Sequence, residues 1–174
     1  MDRLDVAAEM ERVRRDFHEL VDTADSYDLR LPSDGTRWTN GQLLFHMLFG
    51  YLVVRALLVL VRTFARLPDA VSRWFASVLE AGTRPFHVVN YVGSLGGRRV
   101  LGRRGMEHLM DRAVRGLTES LARESDDTLA RGMHFPVAWD PYFAEWMSVL
   151  DVYHYATQHY DHHRRQLTLR AVRP

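Results

Sequence analysis

His159-Tyr160-Asp161-His162-His163-Arg164-Arg165-Gln166-Leu167 reads as the end of a long helix, and its side-chain types decide how the rest of the chain must be arranged. Residues four apart on a helix lie on one face, one turn above the other. His159 and His163 therefore present two imidazoles side by side. Two imidazoles fill half of a tetrahedral metal site or a third of an octahedral one, so a further ligand has to come from another element. His162 lies about 60° from His159 around the helix, and the i, i+4 pair has the better geometry. That leaves His162 a flanking or surface position. Asp161 points about 160° away from the pair's centre line, which makes it a poor base for chemistry there.

Working outward, Asp140-Pro141 supplies an N-cap and a proline at the first helical position, so the last helix is expected from Pro141 to about Leu169. Residues 3 to 25 carry Leu4, Ala7, Met10, Val13, Phe17, Leu20 and Val21 at spacings of three and four among charges, an amphipathic helix. Asp28 to Arg37 is a loop. Thr39 followed by Gln42 is a capping-box pattern, which starts a second helix running to about Arg66. A shorter helix over 70–80 puts Val71, Trp74, Phe75 and Val78 on one face and is closed by Gly82 and Pro85. Phe86 to Val92 reads as a short strand or a short helix. Gly93, Gly96, Gly97, Gly102 and Gly105 make the following stretch a flexible crossover without the spacing of a phosphate-binding loop. Met106 to Glu124 is a third long amphipathic helix, and Ser125 to Ala138 is a connection. The sum is an all-α chain: one domain over residues 1–174, a four-helix bundle with a long crossover between helices 2 and 3.

Composition narrows the function. Of 174 residues, 47% are hydrophobic and 26% charged, with a net charge of +1. Neither a nucleic-acid-binding field nor an acidic tail is present. All 23 basic residues are arginine, which reads as genome composition rather than chemistry. The absence of cysteine excludes disulfides, thiolate ligands and a cysteine nucleophile. The polar start Met1-Asp2-Arg3-Leu4-Asp5 lacks the basic-then-apolar pattern of a secretory signal, so a cytoplasmic location is expected. Leu43 to Val61 is apolar enough to suggest a membrane span, but His46 and Arg55 would be costly in lipid. Tyr51, Arg55 and Arg62 fall on a stripe opposite His46, the pattern of a central bundle helix with one solvated edge. No stable membrane insertion is expected.

His46 shares its helix face with Leu43, Phe49, Gly50 and Val53 and so faces inward. An inward histidine needs a partner, either a hydroxyl or carbonyl in the core, or a metal. Three features occur in one order: Trp38-Thr39-Asn40-Gly41-Gln42-Leu43-Leu44-Phe45-His46, then Trp139-Asp140-Pro141 opening the last helix, then the His159/His163 pair. Together they resemble the DinB/YfiT-like superfamily over essentially the whole chain. That resemblance implies a four-helix bundle holding a divalent metal through one histidine of the second helix and a His-x-x-x-His pair of the fourth. By the match the ligands are His46, His159 and His163.

Three neutral imidazoles leave a coordination position open for water or substrate, the composition of a catalytic site rather than a closed structural one. A divalent ion there would lower the pKa of its water to roughly 7, or bind an external thiolate. The resemblance implies either activity: the family includes S-transferases that use low-molecular-weight bacterial thiols, and hydrolases. The expected partners are a small-molecule substrate, a thiol co-substrate and a second copy of the chain in a homodimer. Zinc is the expected metal, with nickel and iron as the other choices for imidazole ligands. Tyr155 is a candidate donor to an oxyanion at the metal or a core tyrosine. Gln166 is a candidate to orient a ligand imidazole or cap the pocket. Gly50 leaves room beside the metal or allows close helix packing. The competing reading is a non-catalytic dimeric bundle, stress-related, in which metal or the histidines alone hold helices together. His154 is expected to face solvent, and His18, His87, His108 and His134 to be structural or superficial. Arg98, Arg99, Arg103 and Arg104 read as a solvated basic loop or as an anchor for an anionic substrate.

Overall fold

The structure, a computed structural model, describes residues 2–170, apart from the side chains of Phe86, His87, Val89 and Arg98, so the expectations for His87 and Arg98 lie outside the described residues. Its elements are α1 (Arg3–Thr23), α2 (Asn40–Phe64), α3 (Asp69–Ala81), α4 (Thr83–Val100), α5 (Arg103–Arg123), α6 (Asp126–Ala130), the strands β1 (Gly132–His134) and β2 (Trp146–Ser148), and α7 (Val149–Arg164). The long helices α1, α2, α5 and α7 form an all-α bundle. Its closest helix pairs are α2 with α7 and α1 with α5.

Local chemistry explains the helix starts. Asp2 accepts from the backbone N–H groups of Leu4 and Asp5, and the Asp5 carboxylate accepts from Asp2 N–H in return. Thr39 and Gln42 make the same reciprocal box at α2, with Gln42 Oε1 2.9 Å from Thr39 N. These boxes satisfy backbone donors that the first helical turn leaves open. The core then follows the apolar stripes: Met10, Val13 and Phe17 of α1, Leu44 and Leu48 of α2, Met106 and Met110 of α5, and Val152 and Tyr160 of α7 are all buried.

α2 is 25 residues long and apolar enough by length and composition to cross a membrane, with 56% of its most apolar window buried inside the bundle. Its expected solvated edge is a buried one. Tyr51 is fully buried, its hydroxyl 3.4 Å from Thr157 Oγ1. Arg62 reaches Ser120, Tyr153 and Glu124. Only Arg55 on that stripe is exposed. Tyr51 and Arg62 are there for contacts across helices, and Arg55 meets water.

The crossover differs most from expectation. Residues 83–100 are one helix rather than a strand or flexible segment, and only Leu101 and Gly102 separate it from α5. Pro85 falls in the first turn of α4, where a missing N–H costs no helical hydrogen bond. Gly97 has a packing reason: a Cβ there would sit 2.0 Å from Phe45 Cζ. Arg99 therefore lies on α4 and Arg103 and Arg104 open α5, so the basic loop does not exist. Arg103 donates to the Ala24 carbonyl.

The last helix begins at Val149, not Pro141, and ends at Arg164, short of Leu169. Its cap is Ser148, whose Oγ accepts from Asp151 N at 3.1 Å while Asp151 accepts from Ser148 N at 2.9 Å. Residues ahead of it pair as an antiparallel ribbon, Gly132 with Ser148 and His134 with Trp146. Asp140 caps a turn instead, taking Tyr142 N–H at 2.9 Å.

Candidate metal centre

α2 and α7 cross with Gly50 facing His159. A Cβ on Gly50 would meet His159 Nδ1 at 2.5 Å and Cε1 at 2.8 Å. The glycine therefore makes room for the imidazole itself. At this crossing His46, His159 and His163 come together, each offering a ring nitrogen within 4.8 Å of the others. The ring centroids of His163 stand 4.6 Å from those of both His46 and His159. Sequence reasoning named all three, and the fold brings them to one place.

Proton positions in this cluster follow from its neighbours. His163 Nδ1 lies 2.7 Å from Gln166 Oε1. A carbonyl oxygen only accepts, so Nδ1 carries the proton and Nε2 the lone pair. His46 Nδ1 lies 3.1 Å from Ser94 Oγ, and Ser94 in turn lies 2.9 Å from the Asn90 carbonyl. The one hydroxyl proton of Ser94 goes to that carbonyl, so Ser94 accepts from His46 Nδ1–H and leaves the lone pair on His46 Nε2. These two Nε2 atoms face each other at 3.1 Å. Two lone pairs at that separation repel unless a cation or a proton lies between them.

A proton is disfavoured. Burial pushes His46 down to about 3, with the charge of a protonated His163 adding to the effect. Burial takes His163 to about 4 despite the opposing hydrogen bond that it donates to Gln166. His159 is lowered well below its ordinary value, first by burial and then by the other histidines. All three are neutral imidazoles near pH 7, the form that binds metals. Two nitrogens at about 2.0–2.1 Å from one ion stand about 2.8–3.4 Å apart across octahedral and tetrahedral arrangements. The observed Nε2 separation lies in that range, and the donor set fits a divalent cation. His159 Nδ1 is buried without a hydrogen-bond partner among the described residues.

The surroundings are aromatic. The Trp38 ring stacks on His46 at 4.3 Å between centroids and meets His163 edge-on at 6.2 Å. Tyr91 stacks with Trp38 at 6.2 Å between centroids. Sequence reasoning used Trp38 as a landmark without seeing that it walls the cluster. Ser94 was missed altogether, because the glycines around it suggested a loop. The cue lay in the register: Ser94 and Gly97, three apart, share a helix face.

The remaining expected residues take these places. Gln166 follows α7 and holds His163, as above. Tyr155 is buried with its ring 5.8 Å from that of His159, and its hydroxyl donates to Asp140 Oδ2 at 2.9 Å. Burial raises the Asp140 carboxyl above the usual carboxylate range, against the hydrogen bonds it accepts. Asp140, found by no motif reading of its chemistry, is the carboxylate that positions Tyr155. His162 lies beside the cluster with Nδ1 3.2 Å from the Tyr142 hydroxyl. Asp161 faces away and pairs with Arg12 at 2.7 Å. His154 does not face open solvent: Nδ1 meets Glu9 at 2.8 Å. His18 and His134 likewise have carboxylate partners, Asp111 at 2.8 Å and Asp69 at 3.1 Å. His108 is exposed.

No curated protein and no solved structure matches the chain. The family model of the DinB superfamily matches residues 9–167, a span that takes in all three histidines and the helix pair that carries them. On that match, the chain belongs to the DinB superfamily.

Proposed function

We propose that this protein holds one divalent metal, zinc by preference, on His46, His159 and His163 and uses it on a small-molecule substrate as a thiol S-transferase or a hydrolase. The observation that carries this reading is the pair of opposed Nε2 lone pairs of His46 and His163, 3.1 Å apart with both Nδ1 protons committed elsewhere. A bound divalent ion would act as a Lewis acid with room for a water or a thiolate. The chain's own residues do the rest. Ser94 and Gln166 set the tautomers of His46 and His163. Trp38 excludes water from one side of the cluster. Gly50 admits His159. α2 serves as the bundle's core helix rather than a membrane span, which its buried face and the contacts of Arg62 support.

One observation favours a second reading, a non-catalytic metal-holding bundle. The histidine group includes no carboxylate, and the nearby Tyr155 hydroxyl already donates to Asp140. A proton acceptor would then have to come from the metal's own ligand or the substrate.

Elemental analysis of purified protein tests the metal reading. The expected result is about one zinc per chain, lost in His46→Ala and in His163→Ala; unchanged metal content in both variants would sink it. A screen of thiol transfer and ester or amide hydrolysis separates the two readings. Turnover that disappears with chelator supports the enzyme, whereas a chelator-induced fall in melting temperature without any turnover supports the structural bundle.

A further inference from the structure

We infer that Ser94, on the crossover helix α4, is a positioning residue of the histidine centre: it fixes the tautomer of His46 and thereby aims Nε2 at the metal. The inference rests on the metal reading for its second half only; the tautomer is a property of the metal-free chain.

Ser94 is fully buried although it is polar and lies on a helix whose other face is exposed. A buried hydroxyl with no partner is costly in a protein interior, and Ser94 has two partners, Asn90 O at 2.9 Å and His46 Nδ1 at 3.1 Å. The first contact is the usual back-bond of a helical serine to the carbonyl four residues earlier. It consumes the hydroxyl proton and turns the oxygen into an acceptor only. The imidazole can then answer only as an Nδ1–H donor.

The approach of α4 that makes this contact possible is built into the sequence one turn later. Gly97 lies against Phe45, the residue before His46, so closely that a Cβ would overlap the ring, 2.0 Å from Cζ. Ser94 and Gly97 share a face of α4, and Phe45 and His46 are consecutive on α2. The glycine lets the helices close at the level where the serine needs to reach. Tyr91, also on α4, adds to the same end by stacking on Trp38. Gln166 performs the matching task for His163 from the segment after α7. The two metal-facing nitrogens are thus set by residues from two separate segments, neither of which supplies a ligand. Hydrogen-bond partners of ligand imidazoles fix both ring orientation and tautomer.

Histidine tautomers are read directly from ¹⁵N chemical shifts in long-range ¹H–¹⁵N spectra. In metal-free wild-type protein at pH 7.5 or so, His46 is expected as the Nδ1–H form. In Ser94→Ala, it is expected to change toward Nε2–H, which can donate to His163 Nε2. Zinc affinity, measured by competition with a chelating dye, is expected to fall about 10- to 100-fold. The far-UV spectrum should be unchanged, and Ser94→Thr, which keeps the hydroxyl, should recover the Nδ1–H form. A loss of packing alone would not move the proton between nitrogens. The inference is overturned if metal-free wild type already holds His46 as Nε2–H, a result that needs no variant. It is also overturned if Ser94→Ala keeps the wild-type tautomer, or binds zinc within twofold of wild type. Should wild type bind no zinc, the metal reading fails, while the wild-type and Ser94→Ala spectra still decide whether Ser94 sets the tautomer.

Discussion

The α2–α7 crossing and the α3–α4 arm both look, by periodicity, like helices with an apolar face, yet they use those faces in opposite ways. At the crossing, apolar and polar groups alike are buried: Leu43 and Val152 are fully so, and His46 and His159 are 3% and 5% exposed. On the arm, Val71, Trp74 and Val78 of α3 and Val88 and Val92 of α4 stand out toward solvent, with Trp74 66% exposed. The residues α3 buries are Ser72 and Ala76, with half-buried Phe75 against Phe64. The apolar face that spacing gives α3, Val71, Trp74, Phe75 and Val78, is in large part its outside. Periodicity identifies a stripe; it does not say whether another element covers it. Length and neighbours decide that. α2 has 25 residues and helices on several sides, while α3 has 13 and rests mainly on β1, with Phe75 stacked on Phe64 at α2's end.

The tight end is expected to tolerate least. Gly50→Ala, normally mildly favourable inside a helix by up to about 1 kcal/mol, should here destabilise the metal-free protein by about 1–3 kcal/mol, the usual scale of overpacking. The new methyl would collide with the His159 ring, so zinc binding should weaken roughly tenfold or more, as for other changes that misplace a ligand. Urea unfolding and chelator competition measure both. A neutral Gly50→Ala would show that the crossing has slack and that the contrast with the arm is one of exposure alone.

Buried neutral imidazoles also give the crossing a pH dependence. Burial lowers His46 to about 3 and His163 to about 4 in the folded chain, whereas an unfolded histidine titrates near 6.5. Between those values the unfolded chain binds more protons, so stability rises with pH there. The contribution is fully present above about 6.5 and declines as pH falls toward the folded values. Thermal melts of metal-free protein should drop in midpoint from pH 7.5 to 5, and His46→Phe with His163→Leu should flatten that slope. An equal slope in the double variant would assign the acid sensitivity to other groups.

Much of this contrast was legible from residue spacing on the α2–α7 side. The i, i+4 histidines, the Thr39–Gln42 box and an inward His46 all follow from helical geometry, and each concerns a single helix. What was not legible depends on pairs of segments. Ser148-x-x-Asp151 is as good a start signal as Asp140-Pro141, but only the ribbon of Gly132–His134 with Trp146–Ser148 shows which of the two begins α7. Gly132 marks that ribbon, since a Cβ there would lie 2.3 Å from the Met147 carbonyl oxygen. The glycines of residues 93–105 suggested flexibility because a glycine lowers helix propensity. Gly97 is instead a contact residue, and its meaning appears only when Phe45 is placed against it. Ser94 shared that fate: its register with Gly97 places the two on one helix face, but only the contact with His46 shows what the serine is for.

Adjacent residues on α3 give the contrast its finest test. Trp74 is 66% exposed, whereas Phe75 stacks on Phe64 of α2 with centroids 4.4 Å apart. By hydrophobicity the tryptophan should matter more; by burial it should matter less. Removing a fully buried phenylalanine costs about 3–5 kcal/mol. Phe75 is only partly covered, so Phe75→Ala should cost about 1–3 kcal/mol on the same scale. Trp74→Ser removes a larger side chain but little buried area, and surface changes of that kind stay within about 0.5 kcal/mol. Chemical denaturation of the two variants, with equal m-values, makes the comparison. If Trp74→Ser costs as much as Phe75→Ala, the outer face of α3 is covered in solution, and the arm belongs with the crossing after all. If it is silent, burial and not residue type sets the energetics along this helix, and an apolar stripe in the sequence is no more than a candidate for packing.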